Sequence, residues 1–181
     1  MFAGSEEICP RFSAVIRHRA GFGGTHITQQ YLMTEIQSLY QQVILDHNKN
    51  PRNFGEIDHA TCSAAGHNPL CGDQINIYLT LDGDVISDIR FSGSGCAIAK
   101  SSGSIMTSIL KGKTIAEAEA LFGKFHHLVT ADMDEEFDAD DFGKLAVFAG
   151  VREFPARVKC ASLAWHTFKS ALEGGQIVST E

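Results

Sequence analysis

From Thr34 onward the apolar residues Ile36, Leu39, Tyr40, Val43 and Ile44 recur at intervals of three and four, the stripe of an amphipathic helix. Thr34 offers an N-cap and Pro51 a stop. The period then changes to two. Ile75, Ile77, Leu79 and Leu81 alternate with Gln74, Asn76, Tyr78 and Thr80, and beyond Asp82-Gly83 a second alternation places Val85, Ser87, Ile89 and Phe91 on one face. This predicts a hairpin with one buried side, closed by an Asp-Gly type I′ turn. A weaker strand over residues 60–65 joins it in a small antiparallel sheet. The rest reads as helix. One segment runs from Cys96 to Lys111, with Ile98, Ile105 and Ile109 in phase and Gly112 as its cap. Thr114-Ile115-Ala116-Glu117 has the form of a capping box, followed by Ala118, Leu121, Phe122 and Phe125 on one face. A short helix over 142–149 precedes a last one whose stripe is Ala161, Ala164, Trp165, Phe168 and Leu172, ending at Gly174-Gly175. Strands grouped together and helices without β-α-β alternation give an α+β class: a small antiparallel β-sheet packed with helices.

At 181 residues, 44% hydrophobic and 20% charged, the chain is sized and composed for one folded domain. No apolar run reaches the ~20 residues that span a bilayer, so the reading is no membrane. A net charge of −7 speaks against the basic surface that nucleic acid requires. All of that excess lies between Asp132 and Asp141, where seven acidic residues meet no base; the segment reads as a solvated loop or a docking surface. Residues 1–32 contain Glu6, Glu7, Arg11, Arg17, Arg19 and the run Gly21-Phe22-Gly23-Gly24, without the apolar core of a secretory signal. The expected organisation is a disordered extension over 1–32, with an organelle transit peptide as the alternative, then a domain over 33–175 and a tail over 176–181. Five cysteines are too few and scattered for a disulfide framework, which points to a reducing, cytoplasmic setting.

Cys9 falls in the extension and Cys62 in a candidate strand, where a small apolar core residue is expected. Cys71 lies in Asn68-Pro69-Leu70-Cys71-Gly72-Asp73 before the first strong strand, Cys96 starts a helix after Gly93-Ser94-Gly95, and Cys160 lies early in the last helix. A helix N-terminus favours the thiolate, the nucleophilic and metal-binding form. Spacing leaves two readings open: three unrelated thiols, or one shared site. Asp73, two residues beyond Cys71, brings a carboxylate to the thiol's side. Three thiolates and a carboxylate would complete a tetrahedral zinc shell or ligate an iron–sulfur cluster.

The segments His47-Asn48-Lys49-Asn50-Pro51-Arg52-Asn53-Phe54-Gly55, Asn68-Pro69-Leu70-Cys71-Gly72-Asp73, Gly93-Ser94-Gly95-Cys96-Ala97-Ile98 and Arg157-Val158-Lys159-Cys160 resemble, in order and interval, the motifs of the IscU/SufU family of iron–sulfur cluster assembly proteins. The resemblance runs from about Met33 to Gly174. It implies that Cys71, Asp73, Cys96 and Cys160 are the metal or cluster ligands. IscU-type members carry a His directly before the last ligand cysteine, where this chain has Lys159. The stretch from His126 to Phe142 resembles the insertion of SufU-type members, and residues 150–157 also read as SufU-like. The branch implies a zinc-dependent sulfurtransferase that takes persulfide sulfur from a SufS-like cysteine desulfurase and passes it on. The alternative is a scaffold that assembles a cluster and transfers it to apo iron–sulfur proteins.

Two residues are expected to carry the sulfur chemistry. Cys71 sits on a turn between Pro69 and Gly72, so it is the thiol best able to leave a metal and attack a persulfide while the other ligands retain the ion; Cys160 is its rival. Arg157, three residues before Cys160, is expected to stabilise thiolate or persulfide charge. His67 and the pair His126-His127 read as surface histidines, and Trp165 and Phe168 as core.

Overall fold

The computed structural model describes residues 26–174 and 177–180, with side chains from Ser38 onward. Cys9 and the Arg-bearing segment before position 26 lie outside the described residues. Strands β1 (Cys62–Asn68), β2 (Asp73–Asp82) and β3 (Val85–Ser94) form an antiparallel meander. A two-residue β4 (Val178–Ser179) joins parallel to β1, giving the order β3-β2-β1-β4. The sheet is therefore mixed rather than purely antiparallel, and the segment expected as a tail supplies its edge. The helices are α1 (His26–Lys49), α2 (Ala97–Leu110), α3 (Ile115–Thr130), the single turn α4 (Ala139–Phe142) and α5 (Pro155–Leu172), with a 3₁₀ segment over Gly143–Glu153 before α5. The α+β class stands. None of the described helices is long and apolar enough to cross a membrane.

Three local expectations are corrected. Helix α1 begins eight residues before Thr34, which is an interior position; residues 26–33 hold no Gly or Pro to stop the pattern. In the hairpin, Leu79 pairs with Ile89 but Leu81 pairs with Ile86, so one extra residue is taken up in β3. This bulge turns Ser87 outward, where its hydroxyl donates to Thr80 O at 2.9 Å, and brings Ile86 into the core in its place. The hairpin loop is Gly83-Asp84, and only Gly83 has positive φ, +62°. Type I′ needs positive φ at both central residues, so the turn is not the one expected; a glycine first fits type II′.

The core lies on one face of the sheet. Ile75, Ile77, Leu79, Ile86, Ile89 and Phe91 are fully buried beneath Ile105 and Met106 of α2 and Leu163 and Phe168 of α5. Trp165 stacks on Phe125 of α3 at 4.6 Å between ring centroids. Thr114 caps α3 with the expected capping box. Helix α5 crosses β1 so closely at Gly66 that a Cβ there would collide with the Thr167 hydroxyl and touch Leu163. Cys160, one helical turn before Leu163, thereby reaches the end of β1 at Asn68. Ser102 Oγ donates to Ala161 O at 2.6 Å and fixes α2 beside the same helix. The acidic segment is held down rather than free: the Arg152 guanidinium donates to the carbonyls of Asp132, Met133 and Glu135 and lies 4.9 Å from the Phe137 ring.

The His47–Gly55 motif has a structural task. His47 Nδ1 lies 2.7 Å from Ser104 Oγ, which also accepts from Arg52 N–H at 2.8 Å, so α1 and the loop after it are pinned to α2. Burial, with Arg52 nearby, holds the His47 pKa down at about 4. Because the folded value lies below the ordinary 6.5, the unfolded chain binds the extra proton first. This contribution is whole above pH 6.5 and is lost as pH falls toward 4. We expect His47→Gln to flatten the fall in unfolding free energy between pH 7 and pH 4.5 by about 2 kcal/mol, read from urea denaturation of both proteins. Equal slopes would show that His47 does not couple protonation to folding.

Candidate metal centre

The turn between β1 and β2 builds the site. Asn68 and Asp73 are register partners at the closed end of the strand pair, and Gly72 N–H bonds back to Asn68 O at 2.9 Å with Gly72 at φ +70°. That left-handed residue lets the chain reverse in four residues. Cys71 therefore belongs to the turn, and it approaches Asp73 through the reversal, not through strand parity as the sequence suggested. The ligand atoms of Cys71, Asp73 and Cys160 lie within 4.8 Å of one another. Cys160 Sγ is 3.1 Å from Cys71 Sγ. Asp73 is fully buried and Cys160 only 2% exposed, whereas Cys71 is exposed.

Cys96 joins the group through its backbone. Its N–H donates to Asp73 Oδ1 at 2.7 Å. Its own thiol caps α2, accepting from Ala99 N–H at 3.5 Å, and does not fall within the 4.8 Å cluster. Gly95 makes the close approach possible, since a Cβ at that position would stand 2.9 Å from Asp73 Oδ1. Sequence reasoning missed Asn68. Its buried amide donates to Asp73 Oδ2 at 3.2 Å and to Cys160 Sγ at 3.3 Å, while its Oδ1 accepts from Leu70 N–H. The signal was an Asn before Pro at a strand end, where Asx turns form, but nothing local reveals a contact spanning 92 positions.

Arg157 does not turn its charge to this cluster: its guanidinium lies 4.1 Å from the Phe154 ring, and among the described residues its side chain makes no hydrogen bond or ion pair. His67 is exposed on β1, as expected. His127 is exposed and pairs with Glu135 at 2.8 Å. Cys62 packs at the edge of the core.

The electrostatics define what the site lacks. Burial raises the Cys160 pKa far above the ordinary thiol range, and the neighbouring Cys71 thiol and Asp73 carboxylate push it further. No Lys or Arg side chain among the described residues pairs with Cys71, Asp73 or Cys160. Two thiols and a carboxylate thus share a small volume without a cation. A soft, tetrahedral dication is the partner that would let all of them ionise, so the donor set fits zinc.

Residues 39–161 match the family model of the NifU-like N terminal domain. The chain is 40% identical over 143 residues to the zinc-dependent sulfurtransferase SufU of Bacillus subtilis, covering 77% of this chain and 95% of that one. It is 37% identical over 141 residues to the iron–sulfur cluster assembly scaffold protein IscU of Streptococcus pyogenes, covering 78% and 87%. A crystal structure described as an iron–sulfur cluster assembly scaffold protein for the SUF system, from Fervidobacterium islandicum, superposes with a TM-score of 0.67 at 34% identity, covering 75% of this chain and 98% of that one.

Removing the Asn68 amide leaves a buried carboxylate and a buried thiol short of a donor. Asn68→Ala is expected to destabilise the fold by about 1–3 kcal/mol, measured by chemical denaturation. A loss within error of zero would mean that the Cys96 N–H alone satisfies Asp73.

Proposed function

We propose that this chain, which belongs to the NifU-like N-terminal domain family, acts in iron–sulfur cluster assembly as a zinc-dependent acceptor of persulfide sulfur. The supporting observation is the convergence of Cys71, Asp73 and Cys160 within 4.8 Å with no cationic side chain to balance them. We assign Cys71, Asp73, Cys96 and Cys160 as the residues that hold zinc. Bound there, zinc supplies the positive charge that keeps the thiols deprotonated at neutral pH.

The residues divide the remaining work. Cys160 and Asp73 are buried and tied to Asn68, and Cys96 is anchored at the start of α2; these three keep the site in place. Cys71 is exposed on a turn whose backbone pivots at Gly72. Its thiolate attacks the terminal sulfur of a persulfide on a SufS-like cysteine desulfurase. The Cys71 Sγ–sulfur bond forms as the desulfurase S–S bond breaks, and the desulfurase cysteine leaves as a thiolate. No external oxidant or reductant is consumed. The persulfide now on Cys71 is passed by the same exchange to a downstream assembly protein or apo iron–sulfur protein. Arg157, at the start of the helix that carries Cys160, supplies charge toward the anionic persulfide once it leaves Phe154. Free thiols in this role require a reducing compartment, consistent with the cytoplasm.

A scaffold on which a cluster is assembled as cargo would use the same four residues, and the IscU relative keeps that reading in view. The two differ in what the isolated protein contains. Protein purified without oxygen is expected to be colourless, to carry one zinc, and to melt at a lower temperature after chelation. Brown protein with iron and acid-labile sulfide would replace the acceptor reading with the scaffold. Mass spectrometry after one turnover with a desulfurase and cysteine is expected to find the added sulfur on Cys71. Sulfur confined to Cys160, with Cys71→Ser still accepting it, would overturn the assignment of the nucleophile.

A further inference from the structure

On the flank of α5 away from the thiols lies a cleft of about 300 Å³, walled by α3, α5 and the strand β4. Lys159, Ser162 and His166 open onto it from α5, at spacings of three and four that place them on one helix face. His126 enters from α3, with its ring centroid 6.0 Å from that of His166, and Thr180 enters from the end of β4. Three features of this cleft are unexplained by the metal centre.

The first is a pair of stranded hydroxyls. Ser162 is only 6% exposed, yet among the described residues its Oγ has no hydrogen-bond partner, and neither does the buried Oγ1 of Thr180. A helical serine that is not turned to solvent can back-bond to a carbonyl of the preceding turn; this one does not, and buried polar atoms rarely stay unpaired. The second is charge. Among the described residues Lys159 makes no ion pair and no carboxylate lines the cleft. Lys169 lies near but is engaged by Glu173 at 3.9 Å. The third is the pair of imidazoles. His166 is held below its ordinary pKa by burial, with His126 and Lys169 adding to the effect, so at neutral pH it presents one N–H without a charge. The hydroxyls and imidazoles can each donate, the Lys159 ammonium is the one charge among the described lining residues, and a ligand that meets them together is an acceptor bearing negative charge.

We propose that this cleft binds a small oxyanion of the phosphate or carboxylate class, held by the Lys159 ammonium, the Ser162 and Thr180 hydroxyls and the N–H groups of His126 and His166. Because Thr180 belongs to the edge segment and Lys159 and Ser162 flank Cys160 in sequence, the anion clamps β4 onto the helix that carries the buried metal-site thiol. Lys159, which replaces the histidine of IscU-type chains, gains a role here that the metal centre does not give it.

The test uses the full-length, zinc-loaded protein. Inorganic phosphate and, separately, acetate are titrated against chloride at constant ionic strength, and the imidazole resonances of His126, His166 and His47 are followed by NMR. The expected result is a saturable shift of His126 and His166 with at least one of the two anions, His47 unmoved. Ser162→Ala and Lys159→Met should each weaken that binding by about fivefold or more without lowering the melting temperature. Saturation by one anion alone identifies which class the cleft takes. A response that chloride matches, that never saturates, or that both variants leave unchanged would overturn the proposal and leave the cleft to solvent. Saturation by added zinc or nickel in place of either anion would overturn it in favour of a second metal site.

Discussion

A buried carboxylate held by two donors from different elements organises this protein. Asp73 begins β2 with no exposed surface, and its two oxygens are taken by the backbone of Cys96 at the start of α2 and by the Asn68 amide at the end of β1. That amide also reaches Cys160 on α5. An unsatisfied carboxylate in such a place would be strongly unfavourable, so the sheet, α2 and α5 must meet at this point. Their meeting is what assembles the thiols. The close crossing at Gly66, the absence of a Cβ at Gly95 and the reversal at Gly72 are the local conditions that permit it.

The same arrangement sorts the cysteines by burial and by anchoring, for Cys96 is exposed like Cys71. Cys160 is enclosed, and its proton is held by burial and by the acids beside it. Cys96 is fixed as a helix cap. Cys71 alone combines exposure with a turn that can pivot. In the proposed reading the centre both retains a metal and offers a nucleophile, which calls for this inequality among its ligands, because a thiolate engaged at a metal is a weaker attacker than one released from it.

Much of the fold was legible because burial is periodic. The buried faces of β2, α2, α3 and α5 follow directly from Ile75, Ile77 and Leu79, from Ile105, and from Phe125, Trp165 and Phe168. What escaped was non-local or set by single residues. The bulge at Ser87 shifts the phase of β3, and a serine there reads like any other alternating position. Edge strand β4 is two residues long, too short for any period. Of the centre, the four ligand candidates came from motifs, while Asn68 and the disposition of the Cys96 thiol came only from three dimensions. The position of the Arg157 guanidinium, 4.1 Å from the Phe154 ring, likewise came only from three dimensions.

The account rests on a cation held by three thiolates and a carboxylate, and X-ray absorption at the zinc edge reads that shell directly. It predicts about three sulfur neighbours at ~2.3 Å and one oxygen at about 2.0–2.2 Å, with the oxygen shell altered in Asp73→Ala. A shell built from nitrogen and oxygen alone, or a sulfur count that Cys71→Ser and Cys160→Ser leave unchanged, would contradict it.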